Sequence, residues 1–411
     1  LLVPEPLGFP AARAEHSSAF ALPELLDLGG KASRSRVRVA VVGAGLGGTT
    51  LAALLVAGGF DVTVYEQAPA LSALGAGIHL GPNVVKVLRA LGIGDELLSI
   101  SNVPDAWVSR DSITGDRLFR LEFDAARYGA PYLTVHRGRF HELLTGLVPK
   151  DRIALNKRLV GIDDSGEAIE LAFDDGSRAC ADIVVGADGL NSKVRELLLG
   201  EERPVFTGNV SYRADYPAHL LVGVELDDVT KWWGPGRSVI VYFLDWRRET
   251  VYFVADVPQP VWTADRSFVP GDLEELHAAF EDCHPDLVKI LKAAPETSKW
   301  GMFEREPLPL WSRSRIVLLG DACHPMRPHM GQGAAMAIED GAVLARCLLA
   351  NEPGDHSGAF AQYEATRRDR ASAVQAESKR NRWLKAEYDP LWVYGYDAIN
   401  VPLEVPRANG A

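Results

Sequence analysis

The sequence predicts an α/β fold: a Rossmann-like domain, split by an antiparallel sheet and completed by C-terminal helices. Three observations lead there. Glycine motifs at 43–48 (GAGLGG), 186–189 (GADG) and 320–333 (GDACHPMRPHMGQG) each follow a run of strand-like apolar residues. Between about 201 and 260 the pattern changes to alternating strand signals with aromatic residues interleaved. Residues 359–388 then form a charged amphipathic stretch with helical spacing. The expected organisation is an extension over 1–36, a first domain part over 37–200, a second domain over 201–299, a return to the first domain over 300–352, and helices over 353–411. Residues 103–133 are expected to add to the sheet of the second domain.

The elements follow in order. Residues 37–42 read as a buried parallel strand, 47–57 as the helix after the glycine turn, and 61–65 as the next strand. This βαβ start places a ligand crevice at the carboxyl ends of the strands. Residues 81–100 read as one helix with Val84, Val85, Val87, Leu88 and Leu91 on its apolar side. Residues 139–149 read as another, and 168–173 as a strand before the Asp174-Asp175-Gly176 turn. In the second domain 238–244 and 250–255 read as strands and 271–293 as helical. Residues 316–319 return to a buried strand, and 334–349 form the helix opened by Gly331-Gln332-Gly333.

With 411 residues the chain is long enough for two or three domains and an enclosed site. Lys plus Arg number 43 against 55 Asp plus Glu, a net charge of −12, which argues against nucleic acid or an anionic membrane as partner. Cys180, Cys283, Cys323 and Cys347 form no CxxC pair, so neither a metal site nor a disulfide framework is expected, and a reducing cytoplasmic setting is. Residues 39–60 carry no charge, about the length of a membrane span, but six of them are glycine. A strand, a turn and a helix explain them better. Glu5, Arg13, Glu15, Glu24 and Asp27 interrupt any apolar core of a signal peptide in the first 36 residues, which are expected to be an extension without assigned function.

In GAGLGG, Gly43 permits the tight turn, Gly45 lets the backbone approach a pyrophosphate, and Gly48 lets helix pack on strand. Glu66, beside Gln67, follows Gly43 by 23 residues, where a carboxylate accepts hydrogen bonds from ribose hydroxyls. This motif alone does not separate NAD from FAD. Three motifs together suit one long cofactor, FAD: Asp188 lies in the second, and Asp321 ends a strand where it suits a ribityl hydroxyl. Gly331, Gly333 and Ala334 open a helix whose N–H groups would meet the flavin pyrimidine edge. Pro325 and Pro328 stiffen that loop.

On these motifs, residues 37–395 resemble the group A flavoprotein aromatic monooxygenases, the family of para-hydroxybenzoate and salicylate hydroxylases. The resemblance implies that family's glutathione-reductase-type fold and NADH or NADPH as a transient co-substrate. It places the nicotinamide at the DG motif rather than in a second Rossmann domain. It also implies that Arg137 is the FAD-pyrophosphate arginine. Stretches at 75–83 (GAGIHLGPN), 231–233 (KWW), 307–313 (PLPLWSR), 322–330 (ACHPMRPHM) and 392–397 (WVYGYD) are similar to the 6-hydroxynicotinate 3-monooxygenase branch, whose members replace a ring carboxylate by a hydroxyl. That likeness carries substrate-site roles onto His79, Tyr242 and His329, with Val254 beside them. The sequence departs at Ser238, where that branch has a histidine, and at Val229, where it has a cysteine.

The family chemistry implies that reduced flavin captures O2 as an electrophilic hydroperoxide. The ring hydroxyl of a small aromatic or pyridine carboxylic acid must then be deprotonated or strongly hydrogen-bonded. His79, Tyr242 and His329 are the candidates for that and for carboxylate recognition. Arg213 is either a carboxylate ligand or a salt-bridge partner, His324 is structural, and Trp232 and Trp233 pack the sheet. A salicylate-type hydroxylase without decarboxylation, a flavin reductase and a ligand-binding relative are the rival readings. A monomer and a homodimer are both compatible with the sequence.

Overall fold

A computed structural model describes residues 34–71 and 77–405; nearly all of the expected N-terminal extension lies outside the described residues. Its centre is a sheet of six strands in the order Ser312–Arg313, Ile316–Leu318, Ile183–Gly186, Arg38–Val42, Asp61–Tyr65 and Ile153–Ala154. All neighbours pair in parallel except the short edge strand Ser312–Arg313. The apolar runs before the three glycine motifs thus become three adjacent strands, buried on both faces as parallel strands require. Helices Leu46–Ala57 and Gly333–Ala350 pack beside them. The α/β architecture is the one the sequence predicts.

A second sheet has eight strands in the order Phe268–Pro270, Ser298–Glu304, Val205–Pro217, Thr250–Pro258, Ser238–Phe243, Val229–Trp233, Ala106–Asp111 and Arg117–Glu122. It is antiparallel apart from one parallel pair, Val229–Trp233 with Ala106–Asp111. The sheet runs past residue 300 on one side and takes in 106–122 on the other. Strand alternation gives its faces different work. Val239, Val241, Phe243, Val251, Phe253 and Ala255 pack with Leu276, Phe280, Leu287 and Ile290 into a separate core under two helices. The residues between them in sequence look the other way, toward the glycine motifs.

Several helices are shorter than their apolar spacing suggests, each for a local reason. The stretch 81–100 is two helices, Pro82–Ala90 and Gly94–Ile100, because Gly92 turns at φ 81° between them. The stretch 271–293 is also two, Leu273–Ala278 and Pro285–Lys292, each started by its own cap, Asp272 and His284. The helix expected over 139–149 is Arg137–Thr145, capped by His136. The long C-terminal helix is His356–Lys379; it stops before Asn381 and Leu384, both left-handed at φ 42° and 55°.

Candidate active site

The first glycine motif meets both the second and the helix that the third one opens. A Cβ on Gly43, at φ 106°, would stand 2.4 Å from the Ala187 carbonyl oxygen, and one on Gly47 would stand 2.8 Å from that of Ala337. Only glycine fits such approaches. Gly45 is different: a Cβ there meets nothing within 4 Å, because its face opens onto a cavity of about 440 Å³. Helices Leu46–Ala57 and Gly333–Ala350 both begin at this cavity, and neither has a side-chain cap. Two sets of helix-terminal N–H groups therefore point at the same space, a fit for ligand oxygens.

Of the residues expected to hold the cofactor, Gly45, Gly48, Arg137, Asp321, Gly331, Gly333 and Ala334 line the cavity. Asp321 accepts no hydrogen bond from the described residues yet is open to the cavity, and enclosure by protein pushes its carboxyl pKa up. Arg137 is lowered by the same burial, partly offset by Asp321. Such a carboxylate suits a polyol chain, and such a guanidinium a pyrophosphate. Gly43, Glu66, Gln67 and Asp188 do not line it. Glu66 ties the loop down, accepting from the amides of Ala44 at 2.9 Å and Ala68 at 2.8 Å. Asp188 holds the start of helix Lys193–Leu199, accepting from Ser192 Oγ at 2.5 Å and the Lys193 amide at 2.7 Å. Gln67 is exposed.

The opposite wall is the eight-stranded sheet. Ser238, Ile240 and Tyr242 of one strand and Tyr252, Val254 and Asp256 of the next all face the cavity, in the cross-strand pairs Ser238–Asp256, Ile240–Val254 and Tyr242–Tyr252. His79 enters from the strand Gly77–Leu80, which pairs with Leu133–His136. His329 enters from the loop before Gly331. All five residues expected to hold the substrate, His79, Ser238, Tyr242, Val254 and His329, thus share one cavity. Val229 lies beneath Tyr242 in the sheet, its strand partner, but does not line the space.

The FAD binding domain family matches residues 36–378. The 6-hydroxynicotinate 3-monooxygenase of Bordetella bronchiseptica is 50% identical over 92% of this chain and 100% of its own length. The chain belongs to the FAD-dependent aromatic monooxygenases. The enzyme of the same name from Pseudomonas fluorescens is 48% identical, covering 91% of this chain and 98% of its own. A salicylate hydroxylase in complex with substrate has the same fold, with a TM-score of 0.77 and 25% identity over 89% of this chain and 96% of that one. This monooxygenase uses FAD, with NAD(P)H as the co-substrate typical of its family, and the cavity described above is where its residues fit the flavin.

Burial sets the charge state of the polar groups. His79 is enclosed and its pKa is lowered to about 3, by burial first and by Lys231 second, so its ring is neutral. Its Nδ1 lies 2.9 Å from the Tyr132 hydroxyl, while its Nε2 has no partner among the described residues. Because a tyrosine hydroxyl can donate or accept, Nε2 is free to act in either sense. The Tyr242 ring lies 4.1 Å from that of His79, and burial raises the Tyr242 pKa well above its ordinary value. The Nδ1–H of His329 donates to the Ser378 carbonyl at 2.9 Å, which leaves Nε2 facing Asp256 at 3.7 Å. Burial lowers the His329 pKa, Asp256 opposes this and Lys231 reinforces it.

Two further groups escape a motif-based reading. Lys231 lines the cavity, is 3% exposed, and lies 4.0 Å above the Trp233 ring. Alternation offers a signal for it, since Val229, Lys231 and Trp233 share a face. The other group is a buried charge network behind the flavin wall. Arg367 donates to Glu339 at 2.7 Å and Asp340 at 2.8 Å; Arg370 also binds Glu339, and His324 binds Asp340 at 2.5 Å. Asp340 in turn accepts from the Gly320 amide at 2.9 Å, fixing the turn of the third motif. The structural role expected for His324 is this bond. Among the described residues no helix is long and apolar enough to cross a membrane.

Proposed function

We propose that this monooxygenase acts on a ring-hydroxylated aromatic carboxylic acid, with 6-hydroxynicotinate as first choice, and replaces the ring carboxylate by a hydroxyl. The observation that carries this reading is the neutral His79 with a free Nε2, set beside Tyr242 and opposite His329 on the flavin cavity. One oxygen atom of O2 would enter the ring where CO2 leaves, and the other would leave as water with two electrons from NADH or NADPH. Bound FAD supplies the two-electron reduction and the oxygen transfer. The protein's share is to make the ring electron-rich. His79, its Nδ1–H donating to the Tyr132 oxygen, accepts the hydrogen bond of the ring hydroxyl at Nε2, so negative charge builds on the ring oxygen as it is attacked. Tyr242 and His329 hold the ring in register, and the apolar Ile240 and Val254 form the floor beneath it. Ser238, smaller than a histidine, leaves room at one edge and makes the ring substituents of the substrate the open question. A reducing cytosol suits the four cysteines, none of them paired.

The test is a panel of hydroxylated benzene and pyridine carboxylic acids, mixed with FAD-loaded protein and NADH or NADPH. Expected are stimulated oxygen uptake and release of the ring carboxyl as CO2. No stimulation by any acid would overturn the reading; stimulation without CO2 would leave hydroxylation and remove decarboxylation. His79→Ala or Tyr242→Phe turning over unchanged would overturn the residue roles alone.

A further inference from the structure

We propose that Lys231 is the counter-ion of the substrate's carboxylate. The inference rests on the proposed substrate class and adds a residue that the family likeness did not supply. An aromatic acid brings a full negative charge into a cavity walled by protein, and an unpaired charge is costly there. The cavity is lined by three basic side chains, Arg137, Arg213 and Lys231. Arg137 lies with Asp321 among the glycine motifs, on the cofactor side. Arg213 stands over the Trp300 ring at 4.7 Å, and its electrostatic neighbours are Arg137, Tyr242 and Tyr252. Lys231 is at the other end of the row that crosses the sheet as Lys231–Ile240–Val254–Arg213. Three strand spacings separate the two ends, about 14 Å. The charge of Lys231 is felt by His79 and His329, the residues expected to hold the ring.

Lys231 is marked by its place beside His79 and His329 and by direct contacts that are neutral. Asp256 reaches it only through space, and Arg213, likewise without an ion pair among the described residues, stands at the far end of the row. Its ammonium donates to the Asn381 side-chain oxygen at 3.1 Å and rides on the Trp233 ring. Among the described residues no carboxylate comes within ion-pair distance of it. Asp256, the nearest acidic group on the cavity wall, is engaged by Ser211 at 2.5 Å and faces His329. Asn381 sits just past the end of helix His356–Lys379 in a left-handed conformation, which aims its amide at the lysine without neutralising it. The positive charge is thus oriented and left for a ligand to complete.

The test compares 6-hydroxynicotinate with its carboxamide, which has the same ring without the charge. Both are titrated into FAD-loaded protein without NADH while flavin absorbance is followed. Wild type is expected to bind the acid about 30-fold more tightly than the amide, the scale of one charged hydrogen bond. Lys231→Met is expected to remove that preference by weakening the acid alone, and Lys231→Arg to restore part of it. FAD content reports whether each variant is folded. An acid preference that survives in Lys231→Met overturns the inference, and so does a wild type with no preference, which needs no variant. Should acids bind through Lys231 but fail to stimulate oxygen uptake, the proposed function falls and the inference stands. Should they turn over with the preference intact in Lys231→Met, the reverse holds.

Discussion

The protein buries charge in two places and treats it in opposite ways. Behind the flavin wall, Glu339 and Asp340 meet Arg367, Arg370 and His324, with Asn83 donating to Glu339 at 2.6 Å. Burial alone would raise both carboxyls. Arg370 and Arg367 instead hold Glu339 below its ordinary range, and His324 and Arg367 bring Asp340 down to about 2. On the other wall of the cavity Lys231 touches an amide and an indole, and burial, partly opposed by Asp256, lowers its pKa to about 8. The first set is closed and serves the architecture. The second is open, at a standing cost on the order of 3 kcal/mol near neutrality. A charge that the fold leaves without an ion pair is one that a ligand of opposite charge can complete.

The largest effect should come from opening the closed set. Arg367→Leu removes the one cation that the two buried carboxylates share and should cost about 3–5 kcal/mol in unfolding free energy, with loss of FAD. A cost under about 1 kcal/mol would break the contrast between the two sites. The glycines give a second contrast. Gly43→Ala drives a Cβ into the Ala187 carbonyl at a positive φ and should cost about 2–4 kcal/mol. Gly45→Ala should leave apoprotein stability within about 0.5 kcal/mol yet weaken FAD retention by about 10-fold or more, since its face belongs to the cofactor. Denaturant titrations with and without added FAD separate the two. The smallest effect is expected at Ser238, whose buried hydroxyl has no partner among the described residues. Ser238→Ala should change stability by less than about 0.5 kcal/mol and substrate affinity only slightly.

Much of this was legible in the residues. The apolar runs before the glycine motifs named three strands, and the spacing of the motifs foretold their meeting, because a parallel sheet gathers the carboxyl ends of its strands. Family likeness then pointed to His79, Tyr242 and His329, which share a cavity with Ser238 and Val254. Helix ends were less legible, since Gly92 and Asn381 act through backbone angles that apolar spacing does not carry. Glu66 and Asp188 are expected cofactor groups, and the motifs do not spell out that their carboxylates also fasten a loop and a helix start. Lys231 was hidden before two tryptophans in a strand whose alternation, counted from Val229, points it inward. Glu339 and Asp340 interrupt a mostly apolar helix, but their partner Arg367 lies on another helix, and only the packing brings them together.

The most direct test of the central contrast is the pH dependence of unfolding for ligand-free wild type and Lys231→Met. The Lys231 pKa is lowered in the fold from 10.5 to about 8. Below about pH 8 both states are protonated and the folded state bears the full cost. Between there and 10.5 the unfolded chain binds the extra proton, so wild-type stability rises with pH relative to the variant. The account predicts a variant more stable than wild type at pH 7, by an amount that shrinks from pH 8 upward. A difference that is flat with pH, or a variant less stable at pH 7, would contradict it.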